Sequence, residues 1–230
     1  MRGFCLICLS LLASVFVGAQ NSPQLITEAA TYYTITYYQV NGVKDGKYTE
    51  TYMQTGKIKT DGLYEKGLKE GVWKYFDISG NITQAESYRK DKRNGTLTTY
   101  FQNKILATDT YLNGEKNGIS KKFTSGGLLE EKSTYRNNVL LSRYTYYPNG
   151  KIKSEEIIPR EKNKIYFHKQ YYESGEKHVV STMKNGECTK SISYHKNGRV
   201  ESISEIVDGQ LTMTKKYAAD GAVLSTGCGC

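Results

Sequence analysis

The sequence predicts an all-β protein, an elongated single-layer antiparallel β-meander of about eight hairpin repeats, each 23 to 25 residues long. The first observation is a glycine that recurs with this period. The second is that short runs rich in tyrosine and β-branched residues fill the intervals, and such runs are typical of strands. The third is that, after residue 30, no stretch shows the three- and four-residue apolar spacing of a helix.

The clearest copy of the repeat extends from Tyr64 to Ile82. A glycine follows Tyr64 by three places, a second glycine precedes an aromatic run, and Gly80 follows Phe76 by four places. Glycine adopts positive φ at no steric cost, so these glycines are predicted to be turns between strands. The last glycine of each copy marks the series Gly56, Gly80, Asn103 in place of glycine, Gly126, Gly150, Gly175, Gly198 and Gly221.

Three columns of apolar residues keep the same period. Two places after the marker stand Ile58, Ile82, Ile105, Leu128, Ile152, Val200 and Val223, with Lys177 as the exception. Four places before it stand Tyr52, Phe76, Tyr146, Tyr171, Tyr194 and Tyr217, with Tyr100 and Phe101 in the third copy and Phe123 one place late in the fourth. The unit opens with Tyr64, Tyr88, Tyr111, Tyr135, Ile158, Met183 and Ile206. An isolated hairpin is marginally stable, so neighbouring copies are expected to stack and bury these columns as stripes.

Three of these stretches carry a family resemblance. The segments Lys-Glu-Gly-Val-Trp-Lys-Tyr-Phe at 69–76, Tyr-Tyr-Pro-Asn-Gly-Lys-Ile at 146–152 and Tyr-His-Lys-Asn-Gly-Arg-Val at 194–200 resemble the MORN repeat variant. The same unit occurs in bacterial proteins labelled YwqK-type antitoxins. The resemblance covers residues 31–224, and it implies a β-repeat fold and an antitoxin-like role in which the repeats sequester a toxin.

The amino terminus is predicted to direct export. An apolar run from Phe4 to Val17 is too short to span a membrane, and small residues ending at Ala19 form a cleavage site. Residues 1–19 are therefore predicted to be a signal peptide, 20–30 a short leader, 31–224 the repeat array and 225–230 a cysteine-containing tail. The first strand is expected at residues 31–38, and an irregular break at 159–164.

The charge and the cysteines limit the partners. The formal charge of +9 comes from lysines in turns and on a solvated face, which an acidic polysaccharide or an anionic lipid surface could also contact. Export argues against nucleic acid. Without the signal peptide the chain keeps Cys188, Cys228 and Cys230, an odd number that is no disulfide framework. The terminal pair could form a local disulfide, bind a soft metal or pair with another chain, although a flexible tail is the simpler interpretation.

No catalytic motif stands out, and we predict neither an enzyme nor a cofactor or metal site. Adjacent glutamates at 130–131 and 155–156 point to opposite faces of a strand, so neither pair can act as a glycosidase couple. The turn position of His195 makes solvent exposure a sufficient explanation for it. Under an enzymatic alternative, His168 and Glu173 would be the first residues to test, because residues 158–178 depart most from the repeat.

The sequence thus favours an exported, non-catalytic binding or scaffold protein of the periplasm, cell envelope or extracellular space. A protein or an acidic surface polysaccharide is the expected partner, and contact with a membrane surface would not involve spanning it. The antitoxin-like role is the alternative. Contacts are expected from side chains that recur in several copies, and the candidate binding face comprises Tyr52, Trp73, Phe76, Tyr146, Tyr171, Tyr194 and Tyr217.

Overall fold

A computed structural model describes residues 22–161 and 163–228. Its regular elements are 19 antiparallel strands in one open sheet, which confirms the all-β prediction for this part of the chain. The predicted signal peptide and Cys230 lie outside the described residues. Within the described ranges, no helix is long and apolar enough to cross a membrane.

The strands follow one another closely along the chain. The first ten are β1 (Gln24–Ala29), β2 (Tyr33–Val40), β3 (Val43–Tyr52), β4 (Ile58–Glu65), β5 (Leu68–Phe76), β6 (Ile82–Arg89), β7 (Lys92–Phe101), β8 (Lys104–Leu112), β9 (Glu115–Lys116) and β10 (Gly118–Phe123). The remainder are β11 (Leu129–Arg136), β12 (Val139–Tyr146), β13 (Ile152–Ile157), β14 (Ile165–Tyr171), β15 (Lys177–Lys184), β16 (Glu187–Tyr194), β17 (Val200–Val207), β18 (Gln210–Tyr217) and β19 (Val223–Cys228).

Each strand pairs with its neighbours in sequence, as a meander requires, except that β9 and β10 do not pair with each other. The pairing runs from β1 with β2 to β18 with β19, and the short β9 and the longer β10 both pair with β8 as two parts of one interrupted strand. The sheet begins earlier than predicted, because β1 lies within the supposed leader and pairs along its whole length with β2. The strand signal of this segment is the alternation of Leu25, Thr27 and Ala29 with Ile26 and Glu28. The segment contains none of the repeat columns, and the prediction based on those columns therefore missed it.

Two kinds of turn alternate, one at each end of the strands. At one end, here called the turn end, two residues with positive φ connect the strands, as in Asn113 (φ 52) and Gly114 (φ 91). This geometry matches the right-handed twist of a hairpin. At the other end, here called the loop end, the amide of Gly80 donates to the carbonyl of Asp77 at 2.9 Å, and the amide of Asp77 donates to the carbonyl of Asn81 at 2.9 Å.

The fourth copy corrects one prediction. Gly127, and not Gly126, has the positive φ of the marker position, at 87 degrees. Counted from Gly127, both Phe123 and Leu129 fall into phase, and the structure pairs them directly. Leu128, the predicted column residue, lies instead in the loop and is 50% exposed.

The two faces of the sheet differ in burial. We call face A the face of Trp73 and Glu86, which are paired across β5 and β6, and face B the opposite face, which carries Lys74 and Ala85. The buried side chains of the described residues all lie on face A between β2 and β11, namely Tyr37, Tyr48, Thr60, Trp73, Glu86, Ser120 and Ser133. The core is therefore a strip on one face of the amino-terminal half.

Trp73 is the centre of that strip and is only 1% exposed. Its indole lies over Gly62, where an added Cβ would come within 2.3 Å of the ring. The ring also contacts Tyr48 and Tyr64, with centroid distances of 5.4 and 5.0 Å, and its Nε1 donates to the carbonyl of Leu63 at 3.2 Å. The missing side chain at Gly62 is what allows the indole to lie flat on β4.

Candidate functional site

The two marker columns predicted as separate stripes form a single row on face B at the loop end. In each hairpin the aromatic residue four places before the marker is directly opposite the apolar residue two places after it. The pairs are Phe76–Ile82, Tyr100–Ile105, Phe123–Leu129, Tyr146–Ile152, Tyr171–Lys177, Tyr194–Val200 and Tyr217–Val223. We call the seven aromatic members the aromatic row.

The aromatic row is accessible and regularly spaced. All seven residues are half-buried, and the described residues form a single sheet with no second layer packed on face B. Successive rings stand two strands apart, which corresponds to about 10 Å, and the row from β5 to β18 extends roughly 60 Å. An extended ligand lying across the strands could contact every ring.

Five of the seven predicted site residues belong to this row, and two do not. Trp73 lies on face A inside the core, where a ligand cannot reach it. Tyr52 falls outside the row because the first loop is one residue longer, so that Thr51 pairs with Ile58. Phe76, Tyr146, Tyr171, Tyr194 and Tyr217 share face B, and Tyr100 and Phe123 complete the series between them.

A ladder of hydrogen bonds along the loop end holds the aromatic row. The residue that begins a loop, or in the first copy the last residue of β3, donates to the backbone carbonyl of the row residue in the next repeat. Tyr52 Oη donates to the carbonyl of Phe76 at 3.0 Å, and Tyr147 Oη to that of Tyr171 at 2.7 Å. Tyr172 Oη donates to the carbonyl of Tyr194 at 2.8 Å. Each repeat therefore positions the ring of its neighbour.

His195 belongs to this ladder, contrary to the prediction that exposure explains it. Its Nε2 lies 3.0 Å from the carbonyl of Tyr217, which requires the tautomer that carries hydrogen on Nε2. The residue is half-buried and occupies the loop position of Tyr147 and Tyr172. The periodic step of 23 to 25 residues from Tyr147 through Tyr172 to His195 was the available sequence signal.

Basic residues in the last loop position reinforce the ladder. Lys57 Nζ donates to the carbonyl of Ser79 at 2.5 Å, and Lys151 Nζ to that of Ser174 at 2.6 Å. Arg199 donates to the carbonyl of Asp220 at 2.5 Å. These side chains donate hydrogen bonds to loop carbonyls of the next copy. Their charged groups therefore link neighbouring copies in addition to being solvated.

A polar cluster supports the centre of the aromatic row. Glu155 Oε1 accepts hydrogen bonds from Lys169 Nζ at 2.7 Å and from Tyr171 Oη at 2.9 Å. The hydrogen bond from Lys169 outweighs burial, and together with that from Tyr171 it lowers the pKa of Glu155. Burial and the hydrogen bond to Glu155 raise the pKa of Tyr171, which therefore stays a neutral phenol.

Face A carries a second periodic feature that the sequence prediction missed. A cation lies over the tyrosine of the following strand at the turn end: Lys44 over Tyr64, Lys69 over Tyr88, Arg93 over Tyr111 and Lys116 over Tyr135, at 5.0 to 5.4 Å from the ring centroids. Each such contact contributes about 0.5 to 1 kcal/mol at an exposed site. A bulge glycine with positive φ follows each cation by two places. These glycines are Gly46, Gly71, Gly95 and Gly118, with φ from 69 to 120 degrees.

This cation ladder was visible as a Lys/Arg-x-Gly motif recurring every 23 to 25 residues. The periodic series ends at Gly118 in β10, and the later Lys-Asn-Gly triplets at 184–186 and 196–198 lie at turns and loops. In the carboxy-terminal half Leu140, Cys188 and Leu211 occupy the equivalent pairing position opposite Tyr135, Met183 and Ile206. Because the cations cover the aromatic side chains on face A, that strip is a core and not an open ligand surface.

The buried carboxylate of Glu86 is also structural. It accepts hydrogen bonds from Gln84 and Tyr88 and forms an ion pair with Arg93, whose Nε lies 3.1 Å from Oε2. Neighbouring donors thus compensate its burial, as a buried charge requires. The arrangement links the core to the cation ladder.

The residues reserved for an enzymatic alternative are not brought together. His168 lies in the interior of β14 and pairs with Ser181 on face A, whereas Glu173 lies in the loop after Tyr171. Among the described residues, no group of three or more His, Cys, Asp and Glu is placed to hold a metal ion.

Comparison with known proteins gives one family match. Residues 142–157 match the family model described as the MORN repeat variant. The matched segment is the end of β12, the loop at 147–151 and β13, which is one loop-end hairpin of the array. The match supports the MORN repeat family, whose repeats are generally non-catalytic. No curated protein matches the chain.

Proposed function

We propose that this array of MORN-type repeats is an exported binding module that holds an extended glycan chain along the aromatic row of face B. The observation that carries the proposal is a row of seven half-buried aromatic rings, one in each repeat after the first, on one face at a spacing of about 10 Å. A linear polymer with a regular repeat can place a ring against each of these side chains. A compact small molecule would meet only one or two of them.

The ladder at the loop end supports this role. Because Tyr147, Tyr172 and His195 fix the carbonyls of the row residues, the rings are positioned before a ligand arrives. Preorganised contacts lose less conformational entropy on binding. Affinity would then accumulate from several modest contacts, which agrees with the expectation of a distributed surface.

Titration with soluble linear polysaccharides, followed by calorimetry, tests the proposal. The double variant Tyr171→Ala/Tyr194→Ala should weaken binding roughly 30-fold, as removal of two aromatic contacts of about 1 kcal/mol each implies. Phe167→Ala is the matched control, because Phe167 is 50% exposed on face B but lies outside the row. Equal loss in both variants, or binding of an extended peptide and no glycan, would contradict the proposal.

The cellular site belongs to the same proposal. A binding module for surface glycans must be exported, and the amino-terminal signal predicted from the sequence would achieve this. The antitoxin-like alternative requires the chain to stay in the cytoplasm with its toxin. Cell fractionation with amino-terminal sequencing separates the two, since export predicts a mature chain that begins at Gln20.

A further inference from the structure

Lys121 of β10 lies directly opposite Lys132 of β11 on face B. Like charges in this position destabilise a sheet. Other charged pairs within the strands are of opposite sign: Asp61–Lys74, Lys122–Glu131, Arg143–Glu156, Glu155–Lys169 and Lys190–Glu205. Arg89 also faces Lys92, but that exposed pair borders a turn. The lysine pair therefore departs from the way this sheet arranges its charges.

Within the part of the chain that the structure describes, no acidic side chain compensates the lysine pair. The nearby ion pairs are Lys122 with Glu131 at 3.3 Å and Lys169 with Glu155 at 2.7 Å. Neither Lys121 nor Lys132 forms an ion pair with a described residue. Glu130, two residues before Lys132 along β11, is exposed and forms none with either lysine. Two lysines of like charge are thus cross-strand partners on face B, Lys121 exposed and Lys132 half-buried.

The lysine pair is continuous with the aromatic row. Thr108 is opposite Lys121, and Tyr144 is opposite Lys132, so a hydroxyl flanks each lysine across the sheet. Phe123 of the aromatic row follows Lys121 by two residues on β10, and Tyr146 follows Tyr144 by two residues on β12. A polymer lying on the aromatic row would therefore pass close to both lysines, at a distance of about 7 Å along the strands, which is the length of two residues.

We propose that Lys121 and Lys132 form an anion-binding site for the carboxylate or sulfate group of an acidic polysaccharide, which the aromatic row holds on either side. The inference rests on the proposed function and specifies its partner. An anion between the two ammonium groups removes the repulsion that the free sheet carries. Binding at this site is therefore favoured by direct attraction and by relief of like-charge repulsion.

Three polymers test the site on the full exported chain: polygalacturonate for carboxylates, dextran sulfate for sulfates, and hydroxyethyl cellulose as a neutral glycan. Wild type should bind the acidic polymers more tightly, with an affinity that falls as salt increases. The double variant Lys121→Gln/Lys132→Gln should lose roughly 5- to 25-fold in affinity for acidic polymers, and should keep its affinity for the neutral one. Lys122→Gln is the matched control, because Lys122 neighbours Lys121 but is on face A.

Stability of the free protein gives an independent measurement. Without polymer, Lys121→Gln should melt at the same temperature as wild type or higher, whereas polygalacturonate should raise the melting temperature of wild type more than that of the variant. Equal effects of Lys122→Gln, unchanged binding in the double variant, or equal affinity for neutral and acidic polymers would overturn the site. A different result would separate the two proposals. If the lysine double variant lost binding and Tyr171→Ala/Tyr194→Ala bound as well as wild type, the role of the aromatic row would be contradicted and the anion site supported.

Discussion

Gly62 and Trp73 are in close contact in the core. A methyl group at position 62 would stand 2.3 Å from the indole, so Gly62→Ala must displace Trp73 or bend β4. We expect a loss of about 1 to 3 kcal/mol in the free energy of unfolding, the usual cost of overpacking. Urea unfolding monitored by tryptophan fluorescence measures it, since the chain has one tryptophan. Gly227→Ala, which meets nothing within 4 Å, is the control and should be nearly neutral.

Glu155 predicts a pH dependence of stability. Its pKa is lowered below 4.5 in the folded state, mainly by Lys169, so the carboxylate stabilises the fold at pH values above 4.5. This contribution, about 0.5 to 1 kcal/mol, is lost as the pH falls through the folded-state pKa. The difference in unfolding free energy between wild type and Glu155→Gln should therefore shrink on acidification. A difference that grows below pH 4.5 would contradict the assignment.

The columns in the sequence identified most residues of the aromatic row, but they did not reveal that Trp73 is buried in the core. Phe76 and Tyr146 each stand four residues before a marker. Residues at this fixed offset lie on the same face of the sheet. The prediction places Trp73 on the same face because it is aromatic, but Trp73 precedes Phe76 by three positions, and the alternation of a strand puts the two on opposite faces. Gly62, eleven residues earlier, decides that Trp73 is buried, and a linear reading does not relate the two.

At the level of the element, the loop ladder makes each hairpin depend on the next. Tyr172→Phe removes the hydroxyl that donates to the carbonyl of Tyr194 at 2.8 Å. We expect a loss of about 1 kcal/mol and faster amide exchange in the loop at 195–199, because a net hydrogen bond contributes about that much. Hydrogen exchange with mass spectrometry measures both.

Tyr38→Phe provides the matched control for the ladder. The Tyr38 side chain is 40% exposed and lies outside the loops, so removing its hydroxyl should change neither stability nor exchange. If both variants exchanged alike, the bond from Tyr172 would contribute nothing to the loop.

The period of the repeat was sufficient to predict the hairpins, but not the details of the turns. Loops of unequal length, one residue longer after β3 and one shorter at Gln102 and Asn103, shift a column without disturbing the sheet. The two adjacent glycines at 126 and 127 left the marker ambiguous, and only the backbone conformation of Gly127 resolves it. The bulge glycines could be recognised in the sequence. The position of a cation over a tyrosine could not, because it depends on the pairing of three strands.

Across the whole molecule, the sheet divides into two halves that differ in burial. The buried side chains and the cation ladder lie in β2 to β11, whereas face A of the carboxy-terminal half presents hydroxyl pairs such as Ser193 with Ser202 at 2.8 Å. The break at 159–164 joins strands that share only three residue pairs, from Ser154 with Gln170 to Glu156 with His168. Few backbone pairs therefore join the strands on either side of this break, although the ion pair between Glu155 and Lys169 also links them.

Trp73→Ala tests this division. It should cost about 3 to 5 kcal/mol in the amino-terminal half, the usual cost of deleting a buried tryptophan. Strands β14 to β18 should keep their amide protection, because stability in a repeat array is largely a sum of local and neighbouring terms. Hydrogen exchange resolved by peptide measures the range, and uniform loss of protection out to Tyr217 would indicate one cooperative unit instead.

The strict pairing of strands adjacent in sequence also bears on how the chain reaches this structure. All-β proteins usually fold slowly, since their strands must find partners far away along the chain. Here every ladder closes over a single turn or loop, so the entropy of loop closure is small at each step. Folding can begin at any two-residue turn and proceed strand by strand, without waiting for distant parts of the polypeptide to meet.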